Sequence, residues 1–190
     1  EGGTRPLSAL GVECDALVLT LSGLSKIAAL PQMKLGWMHV GGPPDLVRET
    51  CGRLEWIADA YLPVSAPVLY AAPQWLALGA EVRTAVLARC QAVLQQLRAV
   101  FDDGAEIRTR RVEAGWCAVI EGPRTVAGSE FALGLLEQRG VLVQPGYFYD
   151  FSGEGVAVVS LLTPLEEAVS GARALRDFWK NPSDFQAFRR

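Results

Sequence analysis

The sequence predicts an α/β protein in which the end of a larger sheet is followed by a compact α+β domain. Three observations lead there. The runs at 16–21 (ALVLTL) and 34–40 (KLGWMHV) are almost continuously apolar, as in strands of a parallel sheet covered on both faces. A long apolar stripe at helical spacing runs from about Ala80 to Phe101 through Val82, Val86, Cys90, Val93, Leu94, Leu97 and Phe101. Beyond it, short strands alternate with two well-marked helices.

Taken in order, residues 1–15 are loop-like and lead straight into the first strand, which suggests a chain that starts in the middle of a fold. After the second strand, GGPPD breaks the chain. A helix is expected from about Asp45, its N-cap, to Tyr61, with Leu46, Val47, Thr50, Leu54, Ile57 and Tyr61 on one face. The proline-rich LPVSAPVLYAAPQ reads as broken structure with one short helix. Past the long helix, strands are expected near 105–111 and 115–121 around a kink at Gly115, then a helix from about Ser129 to Arg139 with Gly140 at its C′ position. VLVQPG is a short strand, GYFYDF an aromatic loop and residues 155–162 a buried strand. The last helix opens on a capping box, with Thr163 as N-cap, Pro164 at N1 and Glu166 at N3, and runs to about Lys180 before a tail. The expected domains are 1–45, the end of a large sheet domain; 46–72, an interdomain helix and linker; and 73–190, a small α+β domain.

Composition excludes several classes. The chain of 190 residues carries 18 basic and 21 acidic side chains, a net charge of −3, with no basic block. The electrostatic footprint of a nucleic-acid binder is therefore missing. No apolar run approaches a membrane span. Cys14, Cys51, Cys90 and Cys117 lie far apart and read as small buried hydrophobes in a reducing cytoplasm. His39 is the only histidine, which argues against a metal cluster or a Ser-His-Asp triad.

The candidate site is Lys26, in SGLSK between the two apolar runs. A lysine between buried strands is costly unless its charge is used or removed, and desolvation or nearby positive charge makes such an amine a nucleophile. The segment Gly23-Leu24-Ser25-Lys26, with Lys34-Leu35-Gly36-Trp37 beginning eight residues after the lysine, resembles the cofactor-lysine segment of fold-type I pyridoxal-phosphate enzymes, in the class I/II aminotransferase family. The order of the downstream elements is also similar to that family's C-terminal half: a long helix, the GWCAV strand, a helix ending in RGVLVQPG, and a final strand and helix.

The resemblance implies the C-terminal part of the fold-type I fold and a pyridoxal 5′-phosphate-dependent aminotransferase. Such an enzyme moves an amino group between an amino acid and a 2-oxo acid through a lysine Schiff base. Lys26 would be the catalytic lysine and base. Lys34 would neutralise the cofactor phosphate, with Ser22 and Ser25 beside it. Tyr147, Phe148 and Tyr149 would line the substrate pocket. A cytoplasmic homodimer is expected, and this portion alone is expected to be inactive, since the family's ring-stacking aromatic and ring-nitrogen aspartate come from the other half.

This chain departs from the family pattern at several points. Lys34 stands where arginine is usual and Gln32 where a small residue is usual. Gly23 stands where many members have a phosphate-binding serine. Val158-Val159-Ser160 stands where an R-L-S stretch holds the substrate carboxylate. Arg124 and the group Arg108, Arg110 and Arg111 are replacements by charge only. A β-lyase or synthase on the same scaffold, and the ligand-sensing domain of a transcription regulator that borrows it, remain open on the sequence alone.

Overall fold

A computed structural model describes residues 8–102, 104, 106–124 and 128–181. It forms two compact units, one running to Ala85 and the other beginning at Val86, so that the division falls inside a single helix. The expected tail beyond Asn181 and the first seven residues of the opening loop lie outside the described residues, as does Ala105 of the strand expected at 105–111.

In the first unit, β1 (Val18–Gly23) and β2 (Gly36–Gly41) pair side by side. They run antiparallel, with Ser22 opposite Trp37 and Gly23 opposite Gly36, not parallel as the apolar runs suggested. The connection, residues 24–35, is spent on a one-turn helix, α1 (Leu24–Ile27), and a 3-10 turn at Pro31–Met33. That leaves too little chain for the crossover that parallel neighbours need. Nor are the strands buried within this unit: Leu21 is 72% exposed and Trp37 38%. Continuous apolarity is therefore not matched by burial among the described residues.

The next helix, α2 (Pro44–Asp59), starts one residue before Asp45. Pro44 takes the first helical position, where its missing N–H costs nothing, so Pro43 is the N-cap and Asp45 pairs with Arg48 in the first turn instead. Its apolar stripe is present but not covered: Ile57 and Tyr61 lie exposed. Of the segment expected to be broken, residues 62–65 are not helical, but from Ala66 onward it is part of a long helix. A single helix, α3 (Ala66–Phe101), runs for 36 residues, about 54 Å. Pro67 falls in its first turn, and Pro73 sits on an exposed face where water can satisfy the Leu69 carbonyl it leaves unpaired.

The second unit has a sheet of order β3-β4-β6-β5, built from β3 (Arg108–Thr109), β4 (Cys117–Glu121), β5 (Gln144–Pro145) and β6 (Val156–Ser160), with every neighbour antiparallel. Gly115 makes the expected kink with φ +79°. The helix α4 (Gly128–Arg139) ends as expected on Gly140, which has φ +66° and donates to the Leu136 carbonyl. GYFY, expected as a loop, forms a 3-10 turn at Gly146–Tyr149. The last helix, α5 (Leu165–Lys180), is capped by Pro164, not by Thr163. Pro164 keeps an extended ψ of 140° and its carbonyl accepts the Ala168 amide, so the helix begins one residue later and the capping box does not form.

The core of this unit gathers Val93, Leu97 and Phe101 of α3, Ala118 and Ile120 of β4, Ala157 of β6, Phe131 and Leu135 of α4, and Leu175 and Phe178 of α5. Phe131 stacks on Trp179 at 5.1 Å and 11°. The Trp179 indole occupies the space a side chain at position 122 would need, since a Cβ on Gly122 would come within 2.7 Å of it. Of the four cysteines only Cys90 is the buried hydrophobe expected. Cys14, in the loop before β1, and Cys117 are exposed, and Cys51 is half-buried. No helix among the described residues is long and apolar enough to cross a membrane.

Phe178 is fully buried at the centre of this core. Phe178→Ala should destabilise the second unit by about 3–5 kcal/mol. Urea unfolding followed by tryptophan fluorescence measures the loss; a change below about 1 kcal/mol would contradict this packing.

Candidate functional site

Lys26 lies in α1, and the structure shows how so short a helix is held. One helical turn is not stable by itself, because nucleation costs more than its few hydrogen bonds return. Tertiary contacts within the first unit do the holding. Leu24 is fully buried and Ala28 nearly so. The Leu24 amide donates to the Leu35 carbonyl at 3.0 Å, which ties the start of the turn to the residue just before β2. The Leu24 carbonyl accepts from the amides of Ala28 and Leu30 at 3.0 and 3.1 Å. The Ile27 carbonyl, at the end of the turn, accepts from Arg83 Nη1 of α3 at 2.9 Å.

This arrangement brings the proposed cofactor residues together. Leu21, Ser22, Gly23, Ser25, Lys26, Lys34, Leu35 and Gly36 line one shallow, open depression. Ser22 lies near the end of β1 and Ser25 in α1; both are half-buried, and Lys26 and Lys34 are exposed. Lys34 ends the 3-10 turn in the left-handed region, φ +52° and ψ +40°. An L-residue accepts that conformation at a cost of roughly 1–2 kcal/mol. Ala29, a few residues earlier in the same connection, is also left-handed, at φ +54°. Strained positions of this kind persist only where surrounding contacts over-determine them.

Gly23 has a local reason. A Cβ there would stand 2.9 Å from the Leu35 carbonyl oxygen and 3.2 Å from Gly36 Cα. The serine that the family pattern often places at this position does not fit this backbone. The donor set suits the two ends of pyridoxal phosphate, an amine for its aldehyde and a cation with two hydroxyls for its phosphate. The depression offers neither an aromatic ring to stack on the pyridine nor a carboxylate for its nitrogen. Among the described residues no group of acids, cysteines and histidine could hold a metal.

The residues expected on the substrate side lie in the second unit. Val158, where the resemblance leads one to expect an arginine, is buried in β6 opposite Val119 and Gln144. It borders a cavity of about 460 Å³ together with Phe101, Trp116, Val143 and Tyr149. The Tyr149 hydroxyl donates to Gln144 Oε1. Tyr147 and Phe148 make an edge-to-face pair at 4.8 Å, both exposed, and neither borders that cavity.

The substitute arginines are largely engaged. Arg108 and Arg110 both donate to Glu121, each through Nε at 2.6 Å, and Arg110 lies 5.1 Å above the Phe151 ring. Arg111 pairs with Glu113. Arg124 borders a small charged cleft with Glu106, Arg108, Glu121 and Glu154. The residues that the sequence did not disclose are Gly79 and Arg83 of α3. An isolated glycine in a helical stretch was the available signal for the first; nothing local distinguished Arg83 from other helix-surface cations.

No family model and no curated protein matches the chain. Solved structures do. The chain has the fold of the C-terminal portion of fold-type I aminotransferases. It is similar to the tyrosine aminotransferase of Leishmania infantum, with TM-score 0.75 and 14% identity over 91% of this chain and 44% of that one. It is also similar to the alanine aminotransferase of Pyrococcus furiosus, at 0.68 and 22% over 88% and 43%. The probable N-succinyldiaminopimelate aminotransferase of Thermus thermophilus matches at 0.68 and 26% over 84% and 41%. The chain thus spans about two fifths of the length of the structures it matches.

Glu121 gives this region a pH dependence. Burial pushes its carboxyl up, but hydrogen bonds and charge from Arg110 and Arg108 outweigh burial and hold it below its ordinary value of 4.5. A depressed folded value means the unfolded chain takes up the proton first as pH falls. The stabilisation is therefore complete above about 4.5 and is lost as pH drops through the lower folded value. Denaturant midpoints measured from pH 6 to pH 3 should fall in the wild type and fall less steeply in Glu121→Gln; parallel slopes would rule out this contribution.

Proposed function

We propose that the chain is the C-terminal part of a pyridoxal-phosphate-dependent aminotransferase acting on an amino acid and a 2-oxo acid. The observation that carries this reading is the shared depression of Lys26, Lys34, Ser22 and Ser25, in a chain with the aminotransferase fold. No observation favours the lyase or the transcription-regulator alternative. When bound, the cofactor supplies the electron sink for chemistry at the substrate α-carbon. Lys26 would hold the cofactor through its amine and then carry the proton to and from the α-carbon. Lys34 would face the phosphate as a point charge, without the bidentate fork that an arginine provides. Ser22 and Ser25 would donate hydrogen bonds to phosphate oxygens.

The aromatic stacking partner and the carboxylate for the ring nitrogen would come from the part of such an enzyme not represented in this chain. This portion alone is then inactive. The exposed apolar surface of the first unit supports covering by the rest of the large domain and by a second subunit. A cytoplasmic homodimer is the assembly we propose, and the four free thiols suit that compartment. For the domain boundaries we propose 1–45 as large domain, 46–72 as interdomain helix and linker and 73–190 as small domain, the second boundary falling inside α3 and ahead of the division at Ala85/Val86.

Borohydride reduction of the full-length enzyme with pyridoxal phosphate, followed by peptide mapping, should place the label on Lys26. Lys26→Ala should abolish transamination while leaving the circular dichroism unchanged. A label on any other lysine, such as Lys34 or Lys180, would refute the assignment.

We infer the substrate preference from the family resemblance: with Val158 in the arginine's place, acidic substrates have no second cation here, and the aromatic residues Tyr147, Phe148 and Tyr149 offer apolar contact. Neutral and aromatic amino acids should therefore be turned over faster than aspartate or glutamate. A kcat/KM ranking led by the acidic pair would contradict this reading.

A further inference from the structure

We propose that Arg83 is a positioning residue for Lys26, and that Gly79 provides the clearance that lets it act. The proposal rests on the aminotransferase reading of Lys26. The two residues are four apart on α3 and so share a face. Both meet the end of α1. A Cβ on Gly79 would lie 3.1 Å from Ala28 Cβ, 3.2 Å from Ala28 Cα and 3.2 Å from the Ile27 carbonyl oxygen. Position 79 is thus a point of close approach between α3 and the lysine-bearing turn, where even a Cβ would need the turn to give by a few tenths of an ångström and a branched side chain more. One turn along, Arg83 Nη1 reaches the same Ile27 carbonyl at 2.9 Å.

The Ile27 carbonyl belongs to the last turn of a helix, where carbonyls have no partner inside the helix. A charged donor makes a stronger bond to such a group than a neutral one. Ile27 comes directly after Lys26, so fixing the Ile27 peptide plane fixes how the turn is rotated and where the Lys26 Cα–Cβ bond points. Immediately beyond, Ala29 takes the left-handed region, so the chain leaves the turn sharply and α1 cannot lengthen to steady itself. The amine must meet one aldehyde carbon and later one α-carbon, and a misplacement of about 1 Å costs on the order of a hundredfold in rate. Three constraints therefore set the turn: Leu24 buried at its start, the Leu24–Leu35 hydrogen bond beneath it, and the Gly79–Arg83 face of α3 at its end.

The test has two readouts, one of which needs no cofactor. In the 190-residue chain, the amides of Ala28 and Leu30 report the closure of the turn onto the Leu24 carbonyl. Arg83→Met should raise their hydrogen-exchange rates on the order of tenfold, and Arg83→Lys, which keeps a charged donor, should restore them. Gly79→Val should raise the same rates by the opposite route, pushing rather than releasing. Unchanged exchange in Arg83→Met overturns the proposal whatever the cofactor does. In the full-length enzyme, Arg83→Met should lower the share of Lys26 reduced by borohydride in the presence of pyridoxal phosphate, with recovery in Arg83→Lys. Faster exchange with an unaltered Lys26 share would mean that Arg83 only stabilises the turn, and would also overturn the proposal. A wild-type enzyme that does not label at Lys26 would overturn the aminotransferase reading instead, and the exchange rates would still decide whether Arg83 holds the turn.

Discussion

The hydrogen bond from the Leu24 amide to the Leu35 carbonyl closes the connection between β1 and β2, and the arrangement of the first unit depends on it. Closing residues 24–35 onto themselves reverses the chain and makes the strands antiparallel. It also carries Lys26 and Lys34, eight residues apart, to the same depression. The cost is steric. Two backbones can approach this closely only if no Cβ intervenes, which is why glycines face each other at positions 23 and 36. The departure at Gly23 from a phosphate-binding serine is thus explained by the backbone around it. Ser22 and Ser25 line the same depression.

The two units differ in how they are held. The second has a closed core in which aromatic side chains of α4 and α5 interlock, and glycines admit the Trp179 ring and the close strand crossing at Gly155. Two of its arginines, Arg108 and Arg110, converge on one half-buried carboxylate, Glu121. The first buries little beyond Leu24, Ala28 and Ala72, and leaves apolar strand and helix faces exposed. The catalytic candidates lie in this unit, where local positioning rests on a few backbone hydrogen bonds and on α3.

Much of the second unit was legible because its signals are local. The stripe on α3, the Gly115 kink and the Gly140 stop each follow from the conformational needs of one or two residues. The departures from these local signals are local in origin too. Thr163 and Asp45 have good capping side chains, but adjacent prolines took the positions that set the helix starts. Three prolines in a dozen residues argued against a helix, yet two of them fit into one, at its first turn and on an exposed face. Exposure of Cys14 and Cys117 was not readable from composition, since burial depends on what lies opposite.

For the site, the sequence carries the chemistry on offer, a lysine among small residues and a second cation eight residues on, and the family resemblance adds a valine where an arginine is usual. Residue types and short spacings carry such information because reactivity begins with the functional group. Only the tertiary structure decided that strands 18–23 and 36–41 are antiparallel, that position 23 has no room for a side chain, and that Gly79 and Arg83, more than fifty residues from Lys26, meet its turn. Those facts depend on which backbones approach one another, and chain closure over that separation leaves no periodic trace in sequence.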